Sequence, residues 1–180
     1  MKEKTIAFIG AGNMAGALIR GLLQDGHPAD RLIASDPDRN KLDTFGGDSG
    51  INCTTDNNAA IASADVVVLA VKPQIMADVA QGIAARVQQH RPLVVSIAAG
   101  IPLRHLQHWL GDDIAIIRTM PNTPAMLQTG ATALFAGELV SEAQRNLAES
   151  IMRAVGITIW VEREELIDAV TAVSGLSLIH

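Results

Sequence analysis

The chain has few of the features that mark secreted, membrane or nucleic-acid-binding proteins. Its 180 residues contain one cysteine, Cys53, which excludes an internal disulfide and suits a reducing cytoplasm. No apolar run is long enough to cross a bilayer, so we expect no membrane partner. The net charge of −5 and the lack of a basic run argue against nucleic-acid binding. These absences together predict a cytoplasmic protein with neither a membrane nor a nucleic-acid partner.

Aromatic side chains are equally scarce. Tyrosine is absent and aromatic residues make up 3% of the chain, although 48% of the residues are hydrophobic. The core must therefore be built from Ala, Val, Ile and Leu, which is typical of a parallel sheet covered by helices on both faces. Cys53 lies in a short strand-like run. We therefore expect it to be a buried, unreactive thiol.

What the chain does have is a repeated alternation of strand-like and helical segments. Residues 66–71 and 93–97 are continuous apolar runs typical of central parallel strands. Between them, apolar residues at positions 75, 79, 83 and 87 share one face of a helix. The alternation predicts an α/β fold with a doubly wound, Rossmann-like, mostly parallel sheet of about seven or eight strands.

The most specific pattern stands at the beginning of the chain. A β-prone run, residues 5–9, leads into a glycine-rich turn at residues 10–16, then into a helical stretch and a second short strand that ends at Asp36. Gly10 permits a tight turn out of the strand, and Gly12 lets a pyrophosphate approach the backbone. The helix N-terminus that follows offers free N–H groups to phosphates. This order of elements predicts a dinucleotide site.

The residues after the second strand leave the choice between NADP and NAD open. An acid at this place, here Asp36, normally holds the ribose hydroxyls of NAD. Arg39 lies three residues further on and could bind the 2′-phosphate of NADP. Asp36 could instead cap the following helix.

Three more segments are predicted at the same edge of the sheet, because ligands of such sheets bind outside the carboxyl ends of the strands. They are residues 70–73, 96–100 and 120–124. Lys72 could attract phosphate or substrate, but Pro73 fixes the chain path and favours a backbone role for the segment. His105 and His108 are interpreted as solvated surface residues, so no metal site is predicted.

Five motifs together resemble the pyrroline-5-carboxylate reductase family, and they occur in the family's order at residues 8–14, 70–73, 95–100, 118–124 and 167–175. The resemblance implies an NAD(P)H-dependent oxidoreductase that catalyses the last step of proline biosynthesis. In that reaction, hydride passes to the imine carbon of 1-pyrroline-5-carboxylate and gives L-proline. The family's full-length members are expected to be homo-oligomers.

The resemblance also implies roles along the strand ends. The glycine turn would hold the pyrophosphate, and the region of Asp36 and Asn57 would face the adenosine ribose, where some relatives have Ser in place of the aspartate. The segments at 70–73 and 98–99 would line the nicotinamide end, with Asn122 beside it. No side chain of this chain is expected to be catalytic. The expected cofactor-binding residues are Ile9, Gly10, Ala11, Gly12, Asn13, Met14, Ser35, Asp36, Arg39, Asn57, Ala70, Val71, Lys72, Pro73, Ala98, Ala99 and Asn122.

The chain departs from the family pattern after Gly175. The family continues into a helical domain that forms the dimer and most of the substrate pocket, whereas residues 176–180 here read differently. We therefore expect residues 1–162 to form an NAD(P)-binding domain and residues 163–180 to begin the helix that links it to such a domain. This expectation implies weak or absent activity. It also implies self-association through an exposed apolar patch of Leu166, Val170, Val173, Leu176, Leu178 and Ile179.

Two other functions fit parts of the same pattern. β-Hydroxyacid dehydrogenases and imine reductases share the opening strand and glycine turn, although residues 120–124 favour the pyrroline-5-carboxylate reductases. The second is a non-catalytic nucleotide-binding module.

Overall fold

A computed structural model describes residues 1–45 and 50–174 of the chain. The strands are β1 (Ile6–Ile9), β2 (Leu32–Ser35), β3 (Asn52–Thr54), β4 (Val66–Leu69), β5 (Leu93–Ser96), β6 (Ile116–Pro121), β7 (Gly130–Ala136) and β8 (Gly156–Trp160). The α-helices are α1 (Asn13–Gln24), α2 (Arg39–Asp43), α3 (Asn57–Ile61), α4 (Met76–His90), α5 (Leu103–Leu110), α6 (Glu142–Arg153) and α7 (Glu165–Ser174). Short 3₁₀ turns occupy Ala29–Arg31, Pro73–Ile75 and Thr123–Leu127.

The eight strands form one sheet in the order β3-β2-β1-β4-β5-β6-β7-β8. All neighbouring strands are parallel except β6 and β7, which are antiparallel. The strand order reverses between β1 and β4, because the chain first builds outward to β3 and then crosses back. The predicted doubly wound α/β fold is confirmed.

The central strands β1, β2, β4 and β5 are buried along their whole length. Their side chains alternate between two faces. Phe8 and Val68 pack against α1 and α6, whereas Ile9 and Val67 pack against α3, α4 and α5. Burial on both faces explains why these strands read as continuous apolar runs in the sequence.

Helices α1 and α6 approach each other closely at a glycine. A Cβ at Gly21 would lie 2.2 Å from the carbonyl oxygen of Ala154, directly after α6. Helix α6 begins with a capping box, in which the Ser141 hydroxyl accepts from the Gln144 N–H and the Gln144 side chain accepts from the Ser141 N–H. The cap fixes the start of α6, and Gly21 permits its contact with α1.

Helix α7 packs on the sheet through Ile167, which is buried against Met120 and Ala133. Val170 packs on the same cluster and Leu166 is half-buried, so the expectation that these two residues form an exposed patch is wrong. The sheet already covers the face on which Val170 lies. The side chains of Val173, Leu176, Leu178 and Ile179 lie outside the described residues.

The expectation for Cys53 is also wrong, since the residue is exposed. It belongs to β3, the strand at one edge of the sheet, where one flank has no neighbouring strand. In the described part of the chain, no helix is long and apolar enough to cross a membrane.

Two Gly-to-Ala substitutions test this packing in opposite directions. Gly21→Ala is expected to lower the free energy of unfolding by about 2 kcal/mol or more, because its methyl group would overlap the Ala154 carbonyl. Gly82→Ala is the control: Gly82 is exposed within α4, and a Cβ there meets nothing within 4 Å. It should raise the free energy of unfolding by about 0.5–1 kcal/mol through helix propensity. Urea unfolding measures both, and equal effects of the two would contradict the α1–α6 contact.

Candidate functional site

The carboxyl ends of the central strands lie level with one another. Ile9 is directly opposite Ser35 on one side and Leu69 on the other, and Leu69 is opposite Ser96. The hydrogen bonds continue one residue further. The N–H of Gly10 donates to Ser35 O at 2.7 Å, and that of Ala70 donates to Ile9 O at 2.8 Å. The structure therefore brings the predicted segments after β1, β2, β4 and β5 together along the edge of the sheet formed by the carboxyl ends of these strands.

Glycine is needed for different reasons at positions 10 and 12 of the turn. Gly10 has a φ of +101°, and a Cβ there would lie 2.7 Å from the Ala70 carbonyl oxygen, so both backbone conformation and packing require glycine. Gly12 has an ordinary φ of −80°, and a Cβ there would meet nothing within 4 Å. The packing of the protein thus explains Gly10 but not Gly12. At Gly12 the missing side chain leaves open space beside the backbone.

That open space belongs to a cleft of about 390 Å³ at the start of α1. The first-turn N–H groups of α1 have no acceptor within the helix and carry its partial positive charge. Two cationic side chains, Arg20 and Lys41, line the same cleft. The cleft is lined by Ala11, Gly12, Asn13, Gly16, Arg20, Lys41, Thr44, Phe45 and Met126. An open backbone, unpaired N–H groups and two cations fit the pyrophosphate of a dinucleotide.

Sequence reasoning missed five of these lining residues, namely Arg20, Lys41, Thr44, Phe45 and Met126. Arg20 lies one helical turn after Gly16, and its Nη1 stands 3.1 Å from where a Gly16 Cβ would be, so i, i+4 spacing could have found it. Lys41 follows Arg39 on α2 and could have been found by its charge. Met126 comes from the loop after β6, and no local sequence signal places it beside α1.

Asp36 is buried and faces the glycine turn. Its Oδ2 accepts from the Ala11 N–H at 3.0 Å, its Oδ1 accepts from the Asp38 N–H at 3.0 Å, and Lys41 Nζ lies 3.1 Å from Oδ2. Burial alone would raise the pKa of Asp36, but these N–H groups and the Lys41 ammonium together hold the pKa below its usual value. Asp38 caps α2 by accepting from the Asn40 N–H, so the alternative that Asp36 is the cap is wrong.

A second cleft of about 360 Å³ lies beside α2 and the end of β3, and it is lined by Arg39, Leu42, Asp43, Cys53, Thr54 and Thr55. Near it, the buried Ser35 hydroxyl donates to Asn57 Oδ1 at 2.7 Å. This bond uses the acceptor end of the Asn57 amide, so its NH₂ group is the end left to donate to a ligand. The predicted residues Ser35, Arg39 and Asn57 thus lie at neighbouring strand ends.

The segments after β4, β5 and β6 are held by hydrogen bonds in which backbone N–H groups are the donors. The carbonyl of Lys72 accepts from the Ile75 N–H at 3.2 Å and begins the turn Pro73–Ile75. Ala98 is buried, and its N–H donates to Ser96 Oγ at 3.4 Å. The side-chain oxygen of Asn122 accepts from the Ala131 N–H at 2.9 Å and joins the loop after β6 to β7. These contacts fix small side chains along the edge.

No cluster of three or more His, Cys, Asp or Glu side chains that could hold a metal occurs in residues 1–45 and 50–174. His105 and His108 are both exposed on α5, and the His105 ring packs on Trp109 with their centroids 5.7 Å apart. The described site therefore offers hydrogen-bond donors and small apolar surfaces.

The model of the family described as NADP oxidoreductase coenzyme F420-dependent matches residues 5–100. The chain is 49% identical over 175 residues to a pyrroline-5-carboxylate reductase of Pseudomonas aeruginosa. The aligned region covers 97% of this chain and 64% of that protein. It thus spans slightly less than two thirds of the length of this relative. The resemblance drawn from the sequence motifs is confirmed.

Solved structures give the same result. A pyrroline-5-carboxylate reductase from Coxiella burnetii superposes with a TM-score of 0.93 at 42% identity, covering 98% of this chain and 66% of that one. A Plasmodium falciparum pyrroline carboxylate reductase with NADP bound superposes with a TM-score of 0.86 at 24% identity, covering 99% and 65%. At that lower identity, the second likeness shows a common fold.

Substitutions at the two turn glycines separate folding from binding. Gly10→Ala should lower the free energy of unfolding by about 2 kcal/mol or more, because of its positive φ and the Ala70 carbonyl. Gly12→Ala should change it by less than about 1 kcal/mol, since its Cβ enters open space. The same Gly12→Ala methyl group should weaken NADPH binding about tenfold or more by displacing the pyrophosphate. Thermal unfolding and calorimetric titration check the pair, and unchanged NADPH binding by Gly12→Ala would contradict the proposed site.

The contacts of Asp36 predict a pH-dependent contribution to stability. A carboxyl whose pKa is lower in the folded state stabilises the fold above its unfolded pKa of about 4, and this stabilisation is lost as the pH falls through the folded pKa. Asp36→Asn should therefore be less stable than the parent chain by about 1 kcal/mol or more at pH 7. The difference should narrow below about pH 4. Urea unfolding at a series of pH values measures it, and a difference that does not vary with pH would contradict the charged role of Asp36.

Proposed function

The chain belongs to the family described as NADP oxidoreductase coenzyme F420-dependent, and from this premise we propose that it binds NADP(H) at the glycine turn. We further propose that it serves the reduction of 1-pyrroline-5-carboxylate to L-proline, the last step of proline biosynthesis. The P. aeruginosa relative, 49% identical over 97% of the chain, supports this substrate by its name. Because the chain spans 64% of that relative, the whole protein's activity stands here as a proposal.

The observation that carries the proposal is the open cleft at Gly12. A glycine that no protein contact explains, placed at the N-terminus of α1 and beside Arg20 and Lys41, is what a bound pyrophosphate requires. The amides of the first turn of α1 would donate to the phosphate oxygens. Arg20 and Lys41 would balance their charge, although Lys41 also holds Asp36.

The contacts at the ribose end support NADP over NAD. An acid that binds the ribose hydroxyls must direct its oxygens into the cleft, whereas both oxygens of Asp36 accept hydrogen bonds within the protein. The guanidinium of Arg39 and the NH₂ of Asn57 are two groups at this end that could bind the ribose. Both are donors, and donors suit a 2′-phosphate.

The order of the strands supports a proposed location for the nicotinamide half of the cofactor. With the pyrophosphate at β1 and the adenosine toward β2, the nicotinamide would lie along the ends of β4, β5 and β6. The small residues Ala70, Ala98 and Ala99 would line it closely and keep water from the ring. When bound, the cofactor supplies the hydride. The task of the chain is to hold the ring in one orientation, for which no nucleophilic side chain is needed.

The proposed small-molecule partners are therefore 1-pyrroline-5-carboxylate and L-proline, in the cytoplasm, with a homo-oligomer as the working assembly. Neither nucleic acid nor membrane is proposed as a partner, since the net charge is −5 and the chain has no basic run. Light scattering over a range of concentrations measures the oligomeric state.

Two assays test the proposed function. Calorimetric titration of the purified chain with NADPH and NADH is expected to show binding, with NADPH tighter. NADPH oxidation is then followed with 1-pyrroline-5-carboxylate and with other cyclic imines. Binding of NADPH with oxidation only by other substrates would favour a different imine or β-hydroxyacid reductase. Because weak or absent activity is expected of this chain alone, NADPH oxidation is measured again with the family's helical domain added in trans. Binding of NADPH without turnover in either case would favour a nucleotide-binding module, and no binding would overturn the proposal.

Removing the Arg39 guanidinium tests the preference for NADP. Arg39→Met should weaken NADPH binding about tenfold through loss of a charge-assisted phosphate contact, and it should leave NADH binding unchanged. Arg86→Met is the control, because Arg86 is a half-buried arginine on α4 that lines neither cleft. Equal loss of NADPH and NADH affinity in Arg39→Met would show that Arg39 does not contact the 2′-phosphate.

A further inference from the structure

Arg118 is a charged side chain within the sheet. It lies on β6 with 2% of its side chain exposed, and its guanidinium contacts two carboxylates, Glu164 and Asp168. The Nη2···Oδ1 distance to Asp168 is 3.0 Å. A buried guanidinium without such partners would be strongly destabilising. Both partners come from one short stretch, since Glu164 directly precedes α7 and Asp168 lies in its first turn.

Glu164 also binds a third element. Its Oε1 accepts from the backbone N–H of Leu103 at 2.6 Å. Leu103 is the first residue of α5, which begins directly after the loop that follows β5. One carboxylate therefore joins β6, the start of α5 and the start of α7.

The same elements meet beside the predicted nicotinamide end. Met120 lies two residues after Arg118 on β6, and it packs with Ile167 of α7 and Ala133 of β7. Ala99, in the loop after β5, is half-buried against this cluster. The loop that carries Ala98 and Ala99 is thus bounded by α7 on one side and leads into α5 on the other. Both of these helices are held by Glu164.

We propose that Arg118, Glu164 and Asp168 are positioning residues that fix α7 and the start of α5, and so set the wall that Ala98 and Ala99 present to the nicotinamide. None of the three needs to touch the cofactor. This inference rests on the proposed function, because it assigns the nicotinamide to the ends of β4, β5 and β6.

A positioning role and a merely structural role predict different binding data. If the three residues only stabilise the fold, substitution changes the unfolding temperature and affects all ligands of the folded chain alike. If they set the nicotinamide wall, substitution weakens NADPH but spares 2′-phospho-ADP-ribose, which has the adenosine and pyrophosphate and lacks the nicotinamide. The ratio of the two dissociation constants is therefore the informative quantity.

The test uses Asp168→Asn and Glu164→Gln in the full 180-residue chain, titrated with both ligands. Asp168→Asn is the safer variant for folding, because that side chain is 58% exposed. Asp113→Asn is its matched control: Asp113 is 55% exposed and pairs with Arg91 outside the two clefts. Each variant's unfolding temperature is measured beside its binding.

We expect Asp168→Asn and Glu164→Gln to weaken NADPH binding about fivefold, and 2′-phospho-ADP-ribose binding by less than about twofold. Asp113→Asn should change neither. Equal weakening of both ligands, or no change in either, in the two variants overturns the positioning role and leaves the proposed function standing. A parent chain that binds neither ligand overturns the proposed function and this inference with it.

Discussion

The parallel register of β1, β2, β4 and β5 is the constraint on which the rest of the structure depends. Because the four strands end level, the residues that follow them leave the sheet at one edge and in one direction. Position 10 requires glycine, because the carbonyl of Ala70, directly after β4, occupies the space that a side chain would need. The tight exit of β1 then aims the start of α1 at that edge. The geometry that we propose for anion binding is thus a consequence of strand pairing.

Two buried charges, one on each side of the glycine turn along the sheet, are held by partners from neighbouring elements. Asp36 joins the end of β2 to the turn through the Ala11 N–H and to α2 through Lys41. Arg118 joins β6 to α7 through two carboxylates. Removing one partner of such a buried pair lowers the free energy of unfolding by more than the intact pair contributes to it. Each network therefore specifies one arrangement of its loops. In both cases the arranged loops border the proposed cofactor site.

The sequence was sufficient to predict the fold, and it also predicts a phosphate end for the proposed site, because both signals are local. The glycine spacing, the apolar runs and the alternation of strands and helices each depend on residues close together in the chain. The errors arose where position in the sheet decides the environment. The sequence predicts a buried Cys53, but β3 is an edge strand and the residue is exposed. It predicts an exposed Val170, but α7 packs over β6 and the residue is half-buried. The place of Met126 in the cleft and the partners of Arg118 likewise depend on long-range packing, and no local sequence pattern predicts them.

An amide NMR titration of the ¹⁵N-labelled chain with NADPH would show directly whether the cofactor binds at the strand ends. If the aligned strand ends form a dinucleotide site, the largest shift changes will fall on the amides of Gly12 and Asn13 and on those of the residues after β2, β4 and β5. The amides of β8, at the far edge of the sheet, should be unaffected. Shift changes confined to another face of the sheet, or none at all, would contradict the claim that the aligned strand ends form a dinucleotide site.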